Sequence, residues 1–190
     1  MRTIRPLRIR SDKLRFFLKW STYVLIAAVL YVFITTSAKT PIKPLLLIPF
    51  AVCVSMNESE FASSMWGLFC GFLLDSACGK VFGYNAFVIM VLCMFSSLLF
   101  LYLIRRNFFG FFIISAAAIF LHAVLDYFFY YAIWGYENVG LLFWGTYIPQ
   151  MLWTLACGAL LYFVGKYVSI KFGTQVKILV EEKNDGSSEE

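Results

Sequence analysis

Asp75, His122, Asp126 and Gln150 each interrupt an apolar run, in the stretches "GFLLDSACG", "IFLHAVLDYFF" and "GTYIPQMLW". An ionisable group at membrane depth is costly, so it faces protein or a water-filled cavity rather than lipid. His122 and Asp126 stand four residues apart and so share a helix face, the spacing a proton relay or a metal site would use. A metal needs further ligands, and this is the only histidine in the chain. The five cysteines (Cys53, Cys70, Cys78, Cys93 and Cys157) are scattered through apolar segments with no CxxC pair, the pattern of small buried residues rather than of ligands. We therefore expect no metal and no other cofactor. Proton coupling would want an unbroken polar path to the cytoplasm, and little beyond Ser96, Ser97 and Ser115 offers one. Hydrolytic chemistry within the membrane needs a nucleophile beside a base, or two facing carboxylates. Asp75 and Asp126 are the only candidate pair, and no protease-like motif surrounds them. No residue is expected to be catalytic.

The elements that must position these groups follow from composition. The chain has 190 residues, 61% hydrophobic and 19% aromatic, with a mean hydropathy of +0.78, where ordinary globular domains are about half apolar. That is the profile of an integral membrane protein, with room for one membrane domain and none for a separate soluble catalytic domain. Apolar runs predict six helices, over residues 16–37, 44–56, 61–78, 84–104, 108–134 and 142–166. The second and third fall short of the roughly 20 residues of a free-standing span, so they are expected inside a bundle. Ser11 and Asp12 read as caps of an amphipathic lead-in to the first helix. The expected organisation is a basic cytoplasmic segment over 1–15, a six-helix membrane domain over 16–167, and a polar, disordered cytoplasmic tail over 168–190.

Orientation comes from charge. Residues 1–19 carry seven Lys and Arg; Arg105 and Arg106 follow the fourth helix, and Lys166, Lys171, Lys177 and Lys183 lie at the end, which puts 13 of 16 on one side. The positive-inside rule makes that side cytoplasmic, with the basic N-terminus touching anionic lipid rather than nucleic acid. Aromatic clusters in "DYFFYYAIWGY" and "FWGTY" fall at the opposite interface, where an aromatic belt belongs. With a rise of 1.5 Å per residue, Asp75 reaches about 20 Å outward from Phe61. Asp126 and His122 then lie in the outer leaflet too, with Lys80, Asn85 and Gln150 near the outer ends. Asp75, Asn85, His122, Asp126 and Gln150 thus gather at one end. They either line an outward-opening polar pocket or bond across helices and hold the bundle together.

The glycines have a packing explanation. Ser63, Gly67, Gly71 and Asp75 form a small-residue stripe at four-residue steps, along which a second helix can approach closely. Gly79 and Gly83 bracket "GKVFG", where the absence of a Cβ permits the positive φ of a tight connection. The arrangement from Gly67 through Asp75, Gly79 and Gly83 to Asn85 and Ala86, with the preceding "KPLLLIPF", resembles the most recognisable segment of the rod shape-determining protein MreD family. That resemblance covers about residues 40–166. It implies a non-enzymatic component of the bacterial cell-elongation machinery in the cytoplasmic membrane. Such a protein binds the periplasmic coiled-coil protein MreC and helps link MreB filaments to peptidoglycan synthases. The family is also similar in helix layout to the substrate-binding subunits of energy-coupling factor vitamin transporters. A vitamin-transporter subunit is therefore the alternative function, although "YVLIAAVLYV" has only adjacent Ala27 and Ala28 where those subunits carry an AxxxA-type stripe.

Overall fold

A computed structural model of the chain describes residues 6–36, 44–79, 81–104, 107–133 and 143–172. The expectations for Lys39, Lys43, Lys80, Arg105, Arg106, Trp134 and the tail beyond residue 172 therefore lie outside the described residues. Every regular element among those described is helical. They are α1 (Pro6–Thr36), α2 (Leu47–Ser55), α3 (Glu60–Cys78), α4 (Tyr84–Tyr102), α5 (Phe108–Tyr127) and α6 (Ile148–Phe172). A π-helical turn, Phe128–Ala132, prolongs α5, and another, Phe143–Tyr147, leads into α6.

Two boundaries differ from those the residue types predict. α1 is already helical at Pro6, the first of its described residues. Ser11 and Asp12 therefore lie inside the helix instead of capping it. At the other end α6 continues past Lys166 to Phe172, because the intervening residues include no proline or glycine to stop it.

Among the described residues, the six expected transmembrane helices become five helices of membrane-spanning length and one that is too short. The long ones are Phe16–Thr36, Glu60–Cys78, Tyr84–Tyr102, Phe108–Tyr130 and Trp144–Val168. Of the two segments expected to be short, α3 has 19 residues and reaches that length, whereas α2 has nine and does not. All nine are buried, enclosed by α3, α4, α5 and α6. Pro49 falls in the first turn of α2, where a backbone donor has no intrahelical partner to lose. The non-helical residues ahead of it place polar backbone within the bundle, which is tolerated at membrane depth only inside protein. Here the Leu45 N–H donates to Thr154 Oγ1 of α6 at 3.1 Å.

Contacts give the helix directions. Thr154 meets Leu45, Gly158 faces Pro49, and Leu161 and Gly165 face Cys53, so α2 and α6 run the same way. Glu58, just beyond α2, pairs with Lys19 of α1, and its carbonyl accepts from Ser97 Oγ of α4 at 3.3 Å. The first half of α1, the end of α2 and the end of α4 therefore meet at one end of the bundle. The α3–α4 connection lies at the other. Tyr162 of α6 meets Phe108, at the start of α5, edge to face with ring centroids 5.2 Å apart. Successive helices thus alternate in direction, and α1 begins at the end of the bundle where α6 finishes.

Packing between α3 and α4 is the most extensive in the fold, and its cause is the glycine stripe. A Cβ on Gly67 would stand 2.8 Å from the Ile89 carbonyl oxygen and 2.9 Å from Cys93 Cβ. On Gly71 it would overlap the Ala86 Cα and stand 2.6 Å from the Asn85 carbonyl oxygen. Ser63, fully buried, extends the same face. Gly158 and Gly165 do for α2 against α6 what Gly67 and Gly71 do for α3 against α4. That second stripe was not singled out from the sequence, because its glycines are seven residues apart rather than four.

Candidate functional site

Asp75 sits in the last turn of α3 and is 1% exposed. A carboxylate near the C-terminus of its own helix is disfavoured by the helix dipole, and one at the N-terminus of another helix is favoured. The α3–α4 hairpin resolves the conflict by folding the start of α4 back over Asp75. Oδ2 accepts from the Gly83 N–H at 2.8 Å and from the Ala86 N–H at 3.3 Å, and Oδ1 accepts from the Asn85 N–H at 3.1 Å. These are donors of the first turn of α4, which no intrahelical carbonyl can satisfy. Asp75 is thus an N-cap supplied from the preceding helix.

The tight reversal depends on two glycines in the left-handed region, Gly79 at φ 63° and Gly83 at φ 100°. Gly79 ends α3 by donating its N–H to the Asp75 carbonyl at 3.0 Å, an αL cap. A single residue therefore closes both sides of the hairpin, its backbone ending one helix and its side chain starting the next.

Asn85 links this cap to α5. Its side chain is 1% exposed, and its Oδ1 lies 2.8 Å from His122 Nε2. With the amide oxygen as acceptor, His122 donates from Nε2. Asp126, one turn further along α5 and also buried, accepts from Tyr147 Oη at 2.8 Å. Tyr147 closes the π turn that leads into α6, so the Asp126 bond ties α5 to α6 at the same end of the bundle. The π turn of α5 braces the hairpin from the side. Tyr130 Oη accepts the Val81 N–H at 3.3 Å, and the Tyr84 ring stands 5.3 Å from Phe129 and 5.6 Å from Tyr130.

Of the five polar residues expected at this end, Asp75, Asn85, His122 and Asp126 are buried, and Gln150 is half-buried on α6. The structure joins Asp75 to Asn85 through backbone and Asn85 to His122 through side chains. It pairs Asp126 with Tyr147. Gln150 contributes its carbonyl, which accepts from Thr154 Oγ1 at 2.7 Å, and Thr154 in turn holds Leu45. Sequence reasoning missed Tyr147 and Thr154. Tyr147 lay within "FWGTY", assigned to the aromatic belt, and a hydroxyl in such a belt opposite a carboxylate was the signal available. The chemistry this arrangement performs is positioning: each carboxylate is engaged by N–H or O–H donors, and the bonds fasten α3, α4, α5 and α6 together.

The opposite end carries the Lys19–Glu58 ion pair, flanked by rings of Trp20, Tyr23, Phe50 and Trp66 at centroid separations of 5.7 to 6.4 Å.

A family model described as rod shape-determining protein MreD matches residues 11–169. Comparison with curated proteins and with solved structures returned no match. The expected likeness to energy-coupling factor subunits, and with it the vitamin-transporter alternative, therefore has no support.

Proposed function

The chain belongs to the rod shape-determining protein MreD family, and from that premise we propose that it is a non-enzymatic scaffold of the bacterial cell-elongation complex. It binds an MreC-like periplasmic coiled-coil protein and helps couple MreB filaments to the cell-wall synthases of the rod complex. The observation that carries this reading is the family match over residues 11–169, which covers every described helix but the first turn and the last residues.

The proposed setting is the cytoplasmic membrane, with both termini in the cytoplasm. The alternating helix directions and the positive-inside bias support it. The basic segment ahead of the membrane domain contacts anionic headgroups. Ser63, Gly67, Gly71, Gly79 and Gly83 form the rigid α3–α4 hairpin. The cluster of Asp75, Asn85, His122, Asp126 and Gln150 braces the periplasmic ends of the helices, so that a partner segment meets a fixed surface. A preorganised surface binds with less ordering cost than a mobile one.

The test is affinity purification of the tagged protein from its native membrane in mild detergent, followed by mass spectrometry. Recovery of an MreC-like protein with cell-wall synthases is the expected result. Recovery of transporter ATPases, or of neither partner from membranes that contain both, overturns the reading.

A further inference from the structure

At the end of the bundle opposite Asp75, Trp20 Nε1, Tyr23 Oη, Ser63 Oγ and Trp66 Nε1 are all buried without a hydrogen-bond partner among the described residues. They are neighbours. The Trp20 ring stands 6.0 Å from Tyr23 and 5.7 Å from Trp66, and Tyr23 stands 5.9 Å from Trp66. Ser63 lies one turn before Trp66 on α3. Tyr23, Ser63 and Trp66 are 1%, 0% and 4% exposed, so bulk solvent does not serve them.

A buried donor left unmade costs on the order of 1–3 kcal/mol, and several such groups in one place require an explanation. An indole N–H can only donate, so the two tryptophans cannot satisfy each other. Glu58 is an anionic acceptor within electrostatic range of Tyr23 and pairs with Lys19, the residue before Trp20. That ion pair is itself largely enclosed, at 15% and 11% side-chain exposure. A desolvated pair needs further hydrogen bonds to its remaining lone pairs. Water is the small molecule that can accept from an indole or phenol and donate to a carboxylate at once.

We propose that the cluster of Trp20, Tyr23, Ser63 and Trp66 is a hydration site, in which ordered water bridges these donors to the Glu58 carboxylate and so solvates the Lys19–Glu58 pair. The site joins α3 through water to α1 and the turn after α2, which the Lys19–Glu58 pair already links directly. It stands independently of the scaffold reading.

The test is hydroxyl-radical footprinting of the full-length protein by X-ray radiolysis, in which radicals form from water already in place. With Tyr162, 4% exposed, as a buried tyrosine reference, Tyr23 is expected to be oxidised several-fold faster. Oxidation of Tyr23 at or below the Tyr162 rate overturns the proposal. Tyr23→Phe and Ser63→Ala provide a second readout, since each removes a partner from the water at little change in volume. Both are expected to lower the melting temperature in detergent by a few degrees. An unchanged or raised value in both shows dry, unsatisfied donors and also overturns it.

Discussion

A carboxylate with three backbone donors gathered on it is hard to replace. Asp75→Ala leaves the Gly83, Asn85 and Ala86 N–H groups without an acceptor in a low-dielectric site, at a cost of about 2–4 kcal/mol. Asp75→Asn keeps one acceptor oxygen and is expected to lose roughly half as much. Thermal unfolding in detergent measures both, and equal losses for the two variants would contradict the capping role. The glycines should separate in the same assay. Gly71→Ala drives a methyl into the backbone at Asn85 and Ala86, which can yield only if α3 and α4 move apart. Gly79→Ala meets open space and costs only the strain of φ 63°, about 1 kcal/mol. A larger loss for Gly79→Ala than for Gly71→Ala would argue against the close approach. Gly67 and Gly71 could be placed from the sequence because spacing along a helix fixes which residues share a face, and Gly79 and Gly83 because glycine permits the positive φ of a tight turn. The partners of His122 and Asp126 could not, because Asn85 and Tyr147 lie on other helices and no periodicity relates them.

α2 was legible only in part. Its shortness pointed to a place inside the bundle, but its apolar residues still counted it among six spans. What distinguishes it is that all sides are covered by protein, so it needs neither the length nor the lipid-facing surface of a transmembrane helix. Its seat on α6 depends on Gly158 and Gly165. Gly158→Leu is expected to wedge Pro49 away from α6 and destabilise the protein by at least 2 kcal/mol, in the manner of an overpacked core. Gly145→Leu, at a position with nothing within reach of a Cβ, should be close to neutral. The comparison uses the same residue change at both sites, so retained stability in Gly158→Leu would remove the α2–α6 contact from the account of the fold.

For the molecule as a whole, the alternating helix directions predict that the α3–α4 connection faces away from the side holding both termini. In a cysteine-free background, Val81→Cys, 68% exposed, should react with a membrane-impermeant maleimide applied to intact cells. Tags on the two termini should be labelled only after lysis. Labelling of all three sites from the same side would overturn the topology. Composition and charge determined by themselves that the chain lies in a membrane, how its long helices are spaced and where its tight turn falls. Those properties depend on local hydropathy, on backbone freedom at single glycines, and on summed charge. Tertiary structure alone decided which helices enclose α2, that Asp75 caps a helix other than its own, and that Lys19 meets Glu58. The physical reason is common to all three: the free energy of burying a polar or short element depends on what other segments supply around it. In a bilayer the lipid offers no hydrogen bonds, so a buried polar group is tolerated only where protein or enclosed water supplies its partners.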